Sequence, residues 1–157
     1  MLCVAVVGTW VGACSGMHES RPDVAAPTAA VPVSNLPQLN VPGLLPLSID
    51  ELIRRLGPPL PLPGGFADPV QASLARRGLP LDSAVFLRSK GLTLVATYDY
   101  HTRQLSDLLL LGTNETELMD RSQLLLGAAN YLVLPVFQAR HPTRLLGLRV
   151  LATTLAQ

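Results

Sequence analysis

Apolar side chains recur at helical spacing in residues 48–56, the clearest periodic pattern in the chain. Positions i, i+3, i+4 and i+7 are occupied, so one stripe of a helix is apolar: Ile49, Leu52, Ile53 and Leu56. Ser48 and Glu51 match the S-x-x-E capping box, in which the two side chains bind free N–H groups of the first turn. Gly57 and the prolines that follow it stop the helix. The pattern therefore predicts a helix over residues 48–56.

Cap residues predict two further helices. Asp68 followed by Pro69 begins a short helix that Gly78 ends, and Asn114 with Glu117 begins a helix that reaches residue 126. Apolar runs between turn residues predict five strands, at 85–88, 92–98, 105–111, 131–138 and 145–151. The order α-α-β-β-β-α-β-β predicts an α+β domain, in which two or three helices pack on a small and mostly antiparallel sheet.

The third predicted strand holds an unbroken run of leucines at residues 108–111. Such a run is typical of a strand that is buried on both faces, or of one with the core on one face and a partner on the other. Under the second interpretation, Leu108 and Leu110 contact a partner protein.

Three arginines recur around the last predicted hairpin, whose loop we place at residues 140–143. Arginine is enriched at protein interfaces, so we expect Arg140, Arg144 and Arg149 to border an apolar partner surface. The alternative is an ordinary solvated face. Pro135, inside the strand before this loop, marks an edge strand or a bulge.

Composition narrows the classes of protein. The 157 residues suffice for one domain, charged residues are 15% and the net charge is +1, so no strong field attracts nucleic acid. The two cysteines are Cys3 and Cys14, and residues 15–157 contain none. Disulfides, thiol catalysis and cysteine-bound zinc are therefore excluded from that part of the chain. We expect no cofactor and no metal site.

The first residues have the layout of an export signal. Residues 1–13 form an apolar run, without a preceding Lys or Arg, that ends in the sequence Val11-Gly12-Ala13-Cys14. This sequence resembles the lipobox of bacterial lipoproteins. The resemblance implies a signal segment at 1–13, a lipid on Cys14 that binds the bilayer, and, from Ser15, an outer-membrane location facing the periplasm. The alternative is a buried N-terminal strand or helix whose cysteine is an ordinary core residue.

Proline recurs every four or five residues between Pro22 and Pro46, which prevents a helix or a central strand. We expect residues 14–46 to be the lipidated N-terminus and a linker, and residues 47–157 to be the domain. A fragment that begins at residue 47 is then expected to fold cooperatively. The alternative is an extended arm whose apolar residues pack on the domain: Leu36, Leu39, Val41, Leu44 and Leu45.

The best candidate for chemistry is the polar cluster Tyr98-Asp99-Tyr100-His101, which offers a general base beside a phenol and an imidazole. Aspartate at a strand end usually binds its own backbone, so we expect a solvated turn instead. His101 and His141 can be considered as a metal pair, but no metal-binding spacing accompanies them.

Residues 48–111 resemble the small lipoproteins of the outer-membrane β-barrel assembly machinery (the BamE/SmpA type). In that family, a helix that ends in a Leu-Gly-x-Pro turn precedes a short antiparallel sheet. Here Leu56-Gly57-Pro58-Pro59 matches the turn, and residues 85–88 and 92–111 match the sheet. The chain departs from the family by an insertion at residues 60–83 and by a helix and hairpin after the sheet.

Together these features predict a lipid-anchored envelope protein whose domain binds another envelope protein, without catalysis, in an assembly or scaffold role. The alternative is a periplasmic domain that binds a small ligand between helix 48–56 and the sheet. An enzyme is the third possibility, and it requires Asp99 or His101 to line a cleft.

Overall fold

Five antiparallel strands form one sheet in the computed structural model, which describes residues 37–64 and 66–153. The strands are β1 (Ser83–Ser89), β2 (Leu92–Tyr98), β3 (Leu105–Leu111), β4 (Tyr131–Gln138) and β5 (His141–Ala152). The α-helices in these residues are α1 (Ile49–Leu56), α2 (Pro69–Arg76) and α3 (Glu115–Arg121). The sheet order β1-β2-β3-β5-β4 makes β1 and β4 the edge strands. The predicted α+β class and order of elements are confirmed.

Polar caps fix the starts of the helices. Ser48 Oγ accepts the Glu51 N–H at 3.4 Å, and the Ser48 N–H donates to Glu51 Oε2 at 2.9 Å, so the capping box is confirmed. Asp68 caps α2 as predicted. The last helix ends at Arg121, earlier than predicted, and Gln123 beyond it has a left-handed φ of 55°, which a continuing helix does not allow.

Both faces of the sheet are covered, by different parts of the chain. One register row of the sheet is fully buried on the face that packs against α1 and α3: Leu94, Leu110 and Leu148. The next row lies on the opposite face: Val95, Leu109 and Arg149. On this second face, Phe66 packs against the buried cluster of Val95, Leu109 and Val136, and Phe66 belongs to the segment that leads into α2. The sheet is therefore the middle layer of the domain.

The predicted boundary at residue 47 is corrected, because residues before it belong to the core. The Leu39 N–H donates to the Arg121 carbonyl at 2.8 Å, and the Val41 N–H donates to the Ser122 carbonyl at 3.1 Å. The buried arm residues are Leu39, Val41, Leu44 and Leu45. The alternative of an arm that packs on the domain is thus confirmed for these four, while Leu36 lies outside the described residues. The arm is not extended throughout, because Pro42–Leu44 form a 3-10 helix, so the expectation that proline prevents a helix is corrected at these residues.

The last hairpin also differs from its prediction. Its turn is Ala139–Arg140, so β5 already begins at His141. Pro135 does lie in an edge strand, as predicted, and the register of β4 on β5 shifts next to it, between Val136 and Phe137.

No helix in the described ranges combines the length and the apolar character that crossing a membrane requires. The predicted signal segment, Cys14 and the first part of the proline-rich linker all lie outside those ranges.

Candidate protein-docking surface

The prediction that Leu108 and Leu110 contact a partner is corrected. Both side chains are fully buried in the core on the face of the sheet that packs against α1 and α3. Leu109, between them, is fully buried on the opposite face. The leucine run therefore follows its first interpretation, a strand buried on both faces, and leaves no leucine of residues 108–110 on the surface.

Arg149 is also removed from the predicted surface. Its side chain is 5% exposed and lies between two buried carboxylates, Asp68 and Asp107. Arg149 Nη2 donates to Asp68 Oδ2, and Arg149 Nη1 donates to Asp107 Oδ2 at 3.1 Å. Thr97 Oγ1 donates to the other oxygen of Asp107 at 3.3 Å. An unpaired charge is costly to bury, so a buried arginine requires such partners.

This buried charge cluster joins α2 to the sheet. Asp68 uses its second oxygen, Oδ1, to accept the Val70 N–H at 2.9 Å, which caps the helix. The same carboxylate therefore caps α2 and fixes its start above β5 through Arg149. α2 itself buries no residue, so this ion pair is a main attachment of the helix to the sheet.

Two carboxylates share one guanidinium in the cluster. Burial, the largest influence, raises the pKa of Asp107; the Arg149 charge opposes this rise and the Asp68 charge adds to it. The Nε of Arg149 is buried without a hydrogen-bond partner in the described part of the chain. We therefore assign the cluster a structural role, since its charged groups pair with one another and are buried away from solvent.

Arg140 and Arg144 do lie on the surface. We call the end of the β4–β5 hairpin, formed by Phe137, Arg140, His141 and Arg144, the hairpin tip. Its four side chains are exposed, and in the described ranges neither arginine forms an ion pair. An exposed aromatic ring next to free guanidinium groups has the composition of residues that dominate protein interfaces.

A surface cavity lies on each side of the hairpin tip. One, of about 450 Å³, is lined by Pro135, Phe137, Leu145 and Arg144, together with Thr113, Thr143 and Glu115. The other, of about 430 Å³, has Phe66 and Leu146 as apolar lining and Arg140 and His141 as basic lining. Both cavities therefore combine apolar and basic lining, and Glu115 adds one carboxylate to the first.

The Tyr98–His101 cluster forms the expected solvated turn. Asp99 Oδ1 accepts the N–H groups of His101 at 2.8 Å and Thr102 at 2.7 Å, and the Thr102 N–H holds the pKa of Asp99 below its usual value. Tyr100 and His101 are exposed and contact each other edge to face. Tyr98 is buried under the Arg103 guanidinium, 5.1 Å from its ring centre. The carboxylate thus serves the backbone of its own turn.

The space between α1 and the sheet, where a ligand pocket was the alternative prediction, is filled by side chains. Ile49 and Leu52 of α1 are fully buried there, in the same cluster as Leu87 and Leu94. Within residues 37–64 and 66–153, no group of three or more His, Cys, Asp or Glu is placed to hold a metal ion.

No protein-family model, curated protein or solved structure matches the chain significantly. The resemblances to the lipobox and to the BamE/SmpA type therefore stay predictions from the sequence.

Proposed function

We propose that the protein is a lipid-anchored protein of the bacterial cell envelope, attached to the outer membrane through Cys14 and facing the periplasm. Its domain binds another envelope protein and carries out no catalysis, as in assembly or scaffolding. The anchor is supported by the lipobox-like Val11-Gly12-Ala13-Cys14 and by the proline-rich residues that separate it from the domain. Extended proline-rich chain acts as a semi-rigid spacer, which suits a domain that must reach a partner away from the membrane.

The observation that carries the binding proposal is the hairpin tip. Arg140 and Arg144 are exposed without ionic partners in the described residues, next to the exposed ring of Phe137. A partner that fits this surface presents carboxylates to the two guanidinium groups and an apolar side chain to one of the flanking cavities. Its surface is therefore acidic around an apolar centre.

The anchor is tested by Cys14→Ala, with Cys3→Ala as the matched control, because both changes remove one thiol from the same apolar segment. We expect Cys14→Ala to move the protein from the membrane fraction to the soluble fraction or to arrest it as an uncleaved precursor. Cys3→Ala is expected to leave its lipidation and fractionation unchanged. Unchanged mass and fractionation of the Cys14→Ala protein contradict the anchor.

Docking through the hairpin tip is tested by photo-crosslinking in intact cells, with a photoreactive residue in place of Phe137. We expect a discrete crosslinked product that is lost in the Arg140→Glu, Arg144→Glu double variant. The control is Arg76→Glu with Arg77→Glu, an equal charge reversal at two exposed arginines, the last residue of α2 and the residue after it. No product, or a product equally strong in both charge variants, contradicts docking at the tip.

Binding of a small ligand is the second candidate, favoured by the 430 Å³ cavity between Phe66, Leu146, Arg140 and His141. Its lining fits an amphipathic anion, with the apolar part on Phe66 and the charge at Arg140. A ligand of this class, such as a medium-chain carboxylate, should then raise the unfolding temperature of the wild type and not of Arg140→Glu. If the melting temperature does not respond, this candidate is rejected while the crosslinking result stands.

A further inference from the structure

One stretch of the chain carries no charged residue and keeps several large apolar side chains exposed at the surface. Residues 122–139 contain no Asp, Glu, Lys, Arg or His, although Arg121 and Arg140 flank them directly. Five large apolar side chains of this stretch are exposed, by 71%, 75%, 48%, 42% and 44% respectively: Leu125, Leu126, Leu132, Leu134 and Phe137. We call residues 125–137 the uncharged edge, because they comprise all but the last residue of edge strand β4 and the loop before it.

The two edge strands of the sheet differ in how far other described segments of the chain cover them. At β1, the Leu60 N–H donates to the Phe86 carbonyl at 2.8 Å, so the preceding segment partly covers that edge. At β4, β5 is the only strand partner in the described ranges. An edge strand exposes a row of N–H and C=O groups, and proteins usually protect it with charges or a covering segment. Residues 131–134 carry no charge, and no described strand covers their outer edge.

The chemistry of the uncharged edge defines what can cover it. A charged cover would lose hydration without gaining an ionic partner, so the covering surface must be apolar and uncharged. The backbone groups of β4 must also exchange water for hydrogen bonds, and a second strand supplies these in series. The cover is therefore an uncharged apolar strand.

We propose that this strand is β4 of a second copy of the chain, paired antiparallel with the first across a two-fold axis. β4 itself meets both requirements, and its lack of charge means that two copies meet without like-charge repulsion. Such a contact is closed, because each copy gives and receives the same surface. The two five-stranded sheets then join edge to edge into one continuous sheet of ten strands.

Details of β4 restrict the register of this pairing. Pro135 lacks an N–H, and the register shifts at Val136 and Phe137 disturb the far half of the strand. The regular part that is free to pair is therefore residues 131–134, so the axis lies close to Val133. At the other end, the Leu125 N–H donates to Tyr131 Oη at 2.8 Å, which holds the leucine loop beside the start of β4. Antiparallel pairing directs this loop toward the Pro135 end of the second copy.

The association is tested on the full chain carrying Cys3→Ala and Cys14→Ala, by sedimentation velocity from micromolar to millimolar concentrations. We expect a concentration-dependent mass of two chains, and at least about a tenfold weaker association for Leu132→Lys or Leu134→Lys, since lysine on an edge opposes pairing. The control is Leu62→Lys, equally exposed at 48% and outside the uncharged edge. Thermal unfolding verifies that each variant is folded. If one edge variant does not fold, Leu126→Lys, at a 75% exposed position, takes its place. A monomer at all concentrations, or a dimer that none of these edge variants weakens, overturns the proposal.

Single cysteines then locate the axis, because residues 15–157 contain no natural cysteine. Cysteine is placed at Leu132, Val133 or Leu134, with Leu81 as an exposed control. Under mild oxidation we expect rapid disulfide formation between chains either for one of the three variants or for an equimolar mixture of two neighbouring variants. Crosslinking no faster than at Leu81 in every case rejects the β4 pairing. The hairpin tip has its own variants, so failure here leaves docking through Arg140 and Arg144 standing.

Discussion

Replacing Arg149 with methionine should remove the positive centre of the buried charge cluster while it keeps an unbranched side chain of similar reach. Two carboxylates, Asp68 and Asp107, each 7% exposed, would then face each other across an apolar space. Each would lose a charged hydrogen-bond donor without regaining water. The substitution thus tests whether α2 is held to the sheet by charge.

The expected loss is large on the scale of domain stability. Removing one partner of a buried ion pair typically destabilises a protein by about 3–5 kcal/mol, whereas a whole domain unfolds at about 5–15 kcal/mol. At roughly 4 °C per kcal/mol for a domain of this size, the unfolding temperature should fall by about 12–20 °C. A triple variant that combines Arg149→Met with Asp68→Asn and Asp107→Asn has none of the three charges. We expect it to recover most of the stability that Arg149→Met alone loses.

Urea unfolding followed by circular dichroism at neutral pH measures these differences. The control is Arg144→Met, the same substitution at an exposed position on the same strand, which should change the free energy of unfolding by no more than about 0.5 kcal/mol. The reasoning is refuted if Arg149→Met lies within about 1 kcal/mol of the wild type. It is also refuted if the triple variant is less stable than the single variant, because the loss then does not come from unpaired charge.

Three further predictions follow from the packing. Gly147→Ala should cost about 1–3 kcal/mol or more in the same urea assay, because its new Cβ would lie 1.9 Å from the Leu110 carbonyl oxygen. A cost well below about 1 kcal/mol, as expected for the open control Gly64→Ala, would contradict this contact. A fragment beginning at Pro37 should unfold cooperatively, whereas one beginning at residue 47 lacks four buried arm side chains and should not; two equally cooperative fragments would restore the predicted boundary. The raised pKa of Asp107 means that the folded state binds this proton more tightly than the unfolded state, so the contribution of Asp107 to stability should grow as the pH falls from neutral toward about 4, whereas the carboxylates with lowered pKa values, such as Asp99, act in the opposite direction. Urea unfolding of the wild type against Asp107→Asn isolates this contribution, and a pH-independent difference would refute it.

Local signals predicted the elements well, because they depend on neighbours in the sequence. The capping box at Ser48 and the Asp68 cap need only groups within three residues, and both form as expected. The strands were predicted from apolar runs, and the bounds of β2, β3 and β4 in the structure are the predicted ones. The arm was harder, since proline argues against α-helices and central strands but does not prevent the short 3-10 helix at Pro42–Leu44, which brings Leu44 into the same buried cluster as Leu39 and Val41.

The surface was predicted less well, because sequence periodicity cannot tell which face of a strand is covered. Leu108 and Leu110 were assigned to a partner on the assumption that one face of β3 is free, yet α1 and α3 cover the face of these two leucines, and the segment from Phe66 into α2 covers the opposite face. Burial on both faces removes the alternation that would have separated core from surface. Only the three-dimensional position of a segment distant in sequence decides this.

A chemical signal for the charge cluster was nevertheless present in the strands. Asp107 precedes a run of leucines and Arg149 lies within Leu145–Ala152, which holds no other charge, so each interrupts a strand that must be buried. A buried charge requires a partner of opposite sign, and antiparallel β3 and β5 bring these two to the same face, two residues apart in register, since Arg149 lies opposite Leu109 and Asp107 opposite Leu151. A slip of β5 by one residue would send Arg149 to the opposite face, among the leucines that pack on α1, and would leave Asp107 unpaired. The cluster therefore penalises incorrect registers more strongly than leucine packing alone, since one leucine can replace another but neither charge can be left without its partner.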